Sequence, residues 1–163
     1  MKKTSLISVA GGMLLLAGCA TGTPQNGSPA SDYTATCKTT SEAEIATLFD
    51  RWNTSLKTGD PKQVADNYAD DAVLLATVSN TPRTTREGKI DYFEHFLADA
   101  PDGHINNREI HIGCNMAVDS GLYTFTFQNT GEVVQARYSY VYKWDGDDWH
   151  IVSHHSSALP EDV

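Results

Sequence analysis

From His104 to Ser157 the chain reads as one strand after another: HINNREIHIGCN, MAVDSGLYTFTFQ, EVVQARYSYVYKW and WHIVSHHSS. Turn chemistry such as Asn129-Thr130-Gly131 and Asp145-Gly146-Asp147 punctuates the run. Tyr123, Phe125 and Phe127 alternate with Leu122, Thr124 and Thr126, so one face of the second segment is aromatic. Strands joined so briefly pair as an antiparallel meander, and an aromatic face needs a cover.

The cover lies upstream. Ser41 and Glu44 form a capping box ahead of Ile45, Leu48, Phe49, Trp52 and Leu56, which recur at helical spacing. Gly59 stops that helix; Asp60-Pro61 starts a second as N-cap and first-turn proline, expected to run to about Tyr68. DDAVLLAT then reads as a short buried strand and VSNTPRTT as turn chemistry. Thr85 can cap a third helix with Ile90, Phe93 and Leu97 on one face, ended by Pro101. Helices first and a meander afterwards is α+β order. The expected fold is a cone-shaped, curved antiparallel sheet packed on a long N-terminal helix and two further helices, with a pocket between sheet and helices.

The first residues carry a different message. MKKTSLISVAGGMLLLAGCA places Lys2 and Lys3 before an apolar run too short for a comfortable permanent span. Its close, Leu16-Ala17-Gly18-Cys19, resembles the bacterial lipoprotein cleavage motif, in which the cysteine is acylated. The expected organisation is a signal peptide at 1–18, a lipid-anchored flexible linker at 19–38, rich in Gly, Pro, Ser and Thr, and one domain at 39–163. Ala20 after the cysteine points to the outer membrane, so the expected place is the bacterial periplasm, lipid-anchored.

Loss of Lys2 and Lys3 with the signal leaves 10 basic against 21 acidic residues. Such a surface argues against nucleic acid and anionic lipid as partners, and leaves a membrane contact through the anchor only. With Cys19 acylated, Cys37 and Cys114 remain, an even number in an oxidising compartment. A disulfide between them is expected, worth roughly 4 to 5 kcal/mol on the chain-entropy account; two separate thiols are the alternative.

The last strand carries the candidate chemistry. On a regular strand Trp149, Ile151, Ser153, His155 and Ser157 share a face, and the apolar pair marks it as inward. His155 and Ser157 are therefore expected in the cone and His154 and Ser156 outside it; a bulge near the strand end would reverse the assignment. His155 is then a candidate base and Ser157 an orienting hydroxyl, or the two are a satisfied polar pair with no catalytic task. Catalytic zinc needs converging ligands. His95, His104, His111 and His150 show no such spacing, so no metal is assigned, with zinc or manganese held from distant segments left open. Thr77, Tyr92 and Arg137 interrupt apolar or aromatic surroundings; the plainest reading of Arg137 is an outward strand charge.

Together TGDPKQVADNYADDAVLLATVSN, IDYFEHFLADAP, GLYTFTF, ARYSYVYKW and WHIVSHHSSALPE resemble the calcium/calmodulin-dependent kinase II association-domain family. That family is a branch of the cystatin-like, nuclear-transport-factor-two-like fold. Double His and double Ser before a proline is similar to the branch assigned as iota-class carbonic anhydrases. The resemblance implies reversible hydration of carbon dioxide in the pocket, some members being metal-free and others using zinc or manganese. It implies Thr77, Tyr92 and Ser157, with His155, as the catalytic set; Ala76 stands where proline is frequent. His154, Ser156, Arg137 and Tyr140 are the accompanying substrate contacts. No kinase motif is present. The rival expectation is a non-catalytic module that binds small carboxylates and assembles through the outer sheet face, with a homodimer as default; an isomerase or cyclase would want an inward carboxylate.

Overall fold

The computed structural model describes residues 36–77 and 79–161. The signal segment, Cys19 and most of the expected linker lie outside them.

Helix α1 (Glu42–Leu56) starts where the capping box places it: Ser41 Oγ accepts from the Glu44 amide at 3.2 Å. Its buried side chains are the expected Ile45, Leu48, Phe49, Trp52 and Leu56. Gly59, at φ +68°, turns the chain into α2 (Pro61–Ala65), capped by Asp60. This helix does not reach Tyr68. Asn67 Nδ2 donates to the carbonyls of Gln63 and Val64 at 3.2 and 3.1 Å, satisfying the helix end. The Asn67 carbonyl accepts from the Ile151 amide at 2.9 Å, so Tyr68 opens strand β1 (Tyr68–Leu75) instead.

Thr85 caps α3 (Arg86–Phe96) through a bond from the Gly88 amide. A 3-10 turn (Leu97–Asp99) follows, and Ala100 at φ +49° reverses the chain. Strand β2 (Pro101–Gly113) begins at Pro101 itself, three residues earlier than expected. It is an edge strand and Pro101 is its first residue, where a missing donor is tolerated. Strands β3 (Met116–Phe127), β4 (Val133–Trp144) and β5 (Trp149–Ala158) complete the meander.

The sheet order is β1-β5-β4-β3-β2. All pairs in the meander are antiparallel, but β1 joins the outer side of β5 in parallel, a crossover the antiparallel expectation did not contain. Helix α1 crosses the inner face. Asn53 acts there as a surrogate strand: its Oδ1 accepts from the Gly103 amide at 2.8 Å and its Nδ2 donates to the Gly103 carbonyl at 2.9 Å. A Cβ on Gly103 would stand 2.9 Å from the Phe125 ring and 3.1 Å from Phe49, so glycine is what lets helix and sheet meet. Phe49 and Trp52 then pack on Tyr123, Phe125 and Tyr140 with ring centroids 5.9 to 6.5 Å apart. Truncating a buried ring of this kind costs about 3 to 5 kcal/mol.

Cys37 and Cys114 are joined, as expected. The Lys38 amide also donates to Asn115 Oδ1 at 2.7 Å, and Lys38 Nζ lies 4.3 Å from the centre of a Trp144 ring. The linker expected to run through residue 38 is thus tied to the sheet over its last two residues.

Candidate functional site

Between α3 and the inner face of the sheet lies a cavity of about 320 Å³. Trp52, Phe93, Phe96, Phe125 and Phe127 form aromatic walls, Thr77, Tyr92, Tyr123, His154 and Ser156 supply polar groups, and the exposed His95, Asp99 and Glu132 stand at its mouth.

Register on β5 decides which polar groups face this cavity. Val141 pairs with Ser153 and the next residue, Tyr142, pairs with Ile151, so Val152 is an extra residue bulged out of the ladder. Alternation restarts one position out of phase. Trp149 and Ile151 are buried, and beyond the bulge the buried residues are His154 (4% exposed) and Ser156 (7%). The expected inward placement of His155 and Ser157 is therefore corrected: His155 is exposed and neither residue lines the cavity. Arg137 pairs across from Ser157 and is likewise exposed, so it is removed from the substrate contacts. Tyr140 is inward but fully buried; it backs the His154 ring at 4.1 Å, nearly parallel, without reaching the cavity wall.

Thr77 and Tyr92, from two different segments, do meet Ser156 at the same cavity. Ser156 Oγ is hydrogen-bonded to Thr77 Oγ1 and accepts from the Tyr123 hydroxyl at 2.5 Å. Tyr92 stacks on Phe96 at 5.7 Å and meets Phe93 edge-on at 5.2 Å. Burial pushes the Tyr92 hydroxyl up to about 12, with nearby Arg83 opposing, so it keeps its proton as a donor. Burial raises Tyr123 also, against the pull of its bond to Ser156.

His154 sits in a chain of buried bonds. Trp52 Nε1 donates to the Tyr68 hydroxyl at 3.1 Å, and that oxygen lies 2.8 Å from His154 Nδ1. Indole N–H can only donate, so the Tyr68 oxygen accepts from Trp52, and of its two partners among the described residues only Nδ1 can take the hydroxyl's own proton. The neutral ring therefore carries its hydrogen on Nε2, a buried atom without a partner among the described residues. Burial, aided by His155, holds the imidazole down at about 3, so it is uncharged at neutral pH. It is a fixed donor and a poor base.

Sequence reasoning missed Tyr68 and Tyr123. Tyr123 was visible as an inward ring in the alternation, but nothing local marked its hydroxyl as a partner for Ser156. Tyr68 was hidden by the expected extension of α2. Among the described residues no three His, Cys, Asp or Glu side chains are grouped to hold a metal ion; the donor set does not fit zinc or manganese as it stands.

The comparisons with known proteins agree with this architecture. A structure from Xanthomonas campestris, described as a calcium/calmodulin dependent protein kinase II association domain, is 47% identical, covers 78% of this chain and 98% of its own, and superposes with a TM-score of 0.71. A protein from Pseudomonas putida with an NTF2-like fold has 19% identity, coverage of 77% and 91%, and a TM-score of 0.66. A protein from Nostoc punctiforme with a cystatin-like fold has 14% identity, coverage of 76% and 97%, and a TM-score of 0.64. The last two are proteins of unknown function and share the fold alone. Among curated proteins none matches. Residues 41–160 match the calcium/calmodulin dependent protein kinase II association domain, and the chain belongs to that family.

Proposed function

We propose that the cavity hydrates carbon dioxide reversibly to bicarbonate, the activity implied by the likeness to iota-class carbonic anhydrases. One observation carries the reading: Thr77 and Tyr123 converge on the Ser156 hydroxyl in an aromatic cavity that, among the described residues, no lysine or arginine lines. A neutral substrate enters such a space without an unpaired charge to bury, whereas a carboxylate would lose its hydration with no cation in return.

Ser156 and Thr77 hold a water beside carbon dioxide, and the Tyr92 hydroxyl, kept protonated by burial, donates to the oxygen on which negative charge develops. His154, with Nδ1 engaged by Tyr68, adds a neutral donor and takes no proton. Holding the two reactants together lowers the barrier by several kcal/mol, on the order of what positioned intramolecular reactions gain. Bicarbonate then leaves past Asp99 and Glu132, whose charges favour its departure.

Stopped-flow hydration by chelator-treated protein, repeated with zinc or manganese added, tests the reading. Turnover in the treated sample is the expected result; inactivity in every sample overturns it. A second reading is favoured by size, because about 320 Å³ exceeds what carbon dioxide and one water fill: a non-catalytic module holding a larger neutral ligand. Inactivity together with a ligand-induced rise in melting temperature would select it.

The association-domain family name suggests oligomerisation, and we take a homodimer through the outer sheet face as the working assembly. The Cys37–Cys114 bond supports an oxidising compartment such as the periplasm, with Cys19 as the proposed lipid anchor.

A further inference from the structure

Hydration releases a proton, and the polar residues deep in the cavity leave it no destination. His154 is neutral with Nδ1 bonded to Tyr68, and the Ser156, Thr77 and Tyr123 hydroxyls bond one another. At the cavity mouth one group differs. His95, one turn beyond Tyr92 on α3, is exposed and lines the cavity. Its Nδ1 lies 2.8 Å from the Asp91 backbone carbonyl. A carbonyl oxygen only accepts, so Nδ1 carries the hydrogen, and the neutral ring presents Nε2 with a free lone pair. Asp91 is itself steadied by Arg83 at 2.7 Å.

We propose that His95 Nε2 is the proton acceptor that couples the cavity to solvent, an inference that rests on the carbon dioxide reading. The water oxygen bonds to the carbon, one carbon–oxygen π pair moves onto oxygen, and the water's O–H bond breaks. Its proton crosses cavity water to Nε2, bicarbonate leaves, and His95 passes the proton to buffer base. The charged and titratable groups around it are Asp91 and Glu94 on its own helix, Asp99 in the following turn, Glu132 from the β3–β4 turn, and His154 and Tyr123 from the sheet. The carboxylates of Asp99 and Glu132, which line the same mouth, suit an imidazolium that forms and discharges there.

The test is His95→Ala in the full chain, with Ser156→Ala beside it, assayed by stopped flow at low and high imidazole. General acid–base assistance is worth about 100-fold or more in rate. The expected result is a His95→Ala turnover reduced at least tenfold in weak buffer and restored by added imidazole. Ser156→Ala stays slow whatever the buffer. Wild-type turnover by His95→Ala in weak buffer, or a loss that imidazole does not repair, overturns the role of His95 while leaving the hydration reading intact. An inactive wild type overturns the hydration reading, and this inference with it.

Discussion

Tyr68 on the parallel edge strand β1 binds His154 Nδ1 at 2.8 Å, so a residue brought in by the crossover sets the tautomer of a histidine on the meander. The consequence for stability has a definite sign. Burial lowers the folded-state value of His154 from 6.5 to about 3, so below pH 6.5 the unfolded chain takes up a proton that the folded chain refuses. Stability is fully present above 6.5 and falls towards 3, by up to about 1.4 kcal/mol per pH unit for one such group. Chemical denaturation between pH 7.5 and 5, above the range where most carboxylates titrate, checks this; His154→Gln flattens the slope in that window.

Ser156 and Ser157 are adjacent and chemically identical, yet only the first bonds Thr77 and Tyr123. Ser156→Ala is expected to slow carbon dioxide hydration by about 100- to 1,000-fold, the range seen when one positioned donor is lost. Ser157→Ala, on the other face, leaves the rate within twofold. Equal effects in stopped flow would reject the hydroxyl cluster as the site.

Tyr92→Phe keeps the ring that stacks on Phe96 and removes only the oxygen. The expected outcome is a melting temperature within a few degrees of wild type and a turnover reduced about tenfold or more. Unchanged turnover would remove Tyr92 from the site.

Asp99 and Glu132 line the cavity mouth, where the proposed reaction would release an anionic product. Replacing both with Asn and Gln should tighten product inhibition by bicarbonate severalfold, with the difference shrinking as ionic strength rises. Inhibition constants measured at two salt concentrations decide it.

The Cys37–Cys114 bond ties the segment before α1 to the β2–β3 turn across 77 residues of sequence. A Cys37→Ser/Cys114→Ser variant should lose about 2 to 5 kcal/mol of stability, read as a lower denaturation midpoint. Neither cysteine lines the cavity, so the proposed activity should persist at low temperature.

What could be read in advance follows the range of the forces involved. Caps and stripes are local, so Ser41, Asp60 and Thr85 announced three helices, and the apolar spacing of Ile45 to Leu56 announced the buried face of α1. Alternation announced Tyr123, Phe125 and the meander. Cysteine parity announced the disulfide. The partner of Tyr68 was not legible, because its contact with His154 spans 86 residues and depends on a parallel pairing that no turn encodes. His155 and Ser157 are placed inward by the sequence for the opposite reason: strict alternation carries through Val152, where the ladder holds one residue too many.

That extra residue also shows what the doublet His154-His155-Ser156-Ser157 protects against. A slip of one position on β5 ordinarily exchanges every inward side chain for an outward one. Here either phase presents a histidine and, two residues on, a serine. The sequence is redundant at the very place where the backbone is irregular, so loss or migration of the bulge would substitute one imidazole and one hydroxyl for another pair of the same kind. A strand end written this way can shift by one residue without changing the chemical alphabet of the wall it builds.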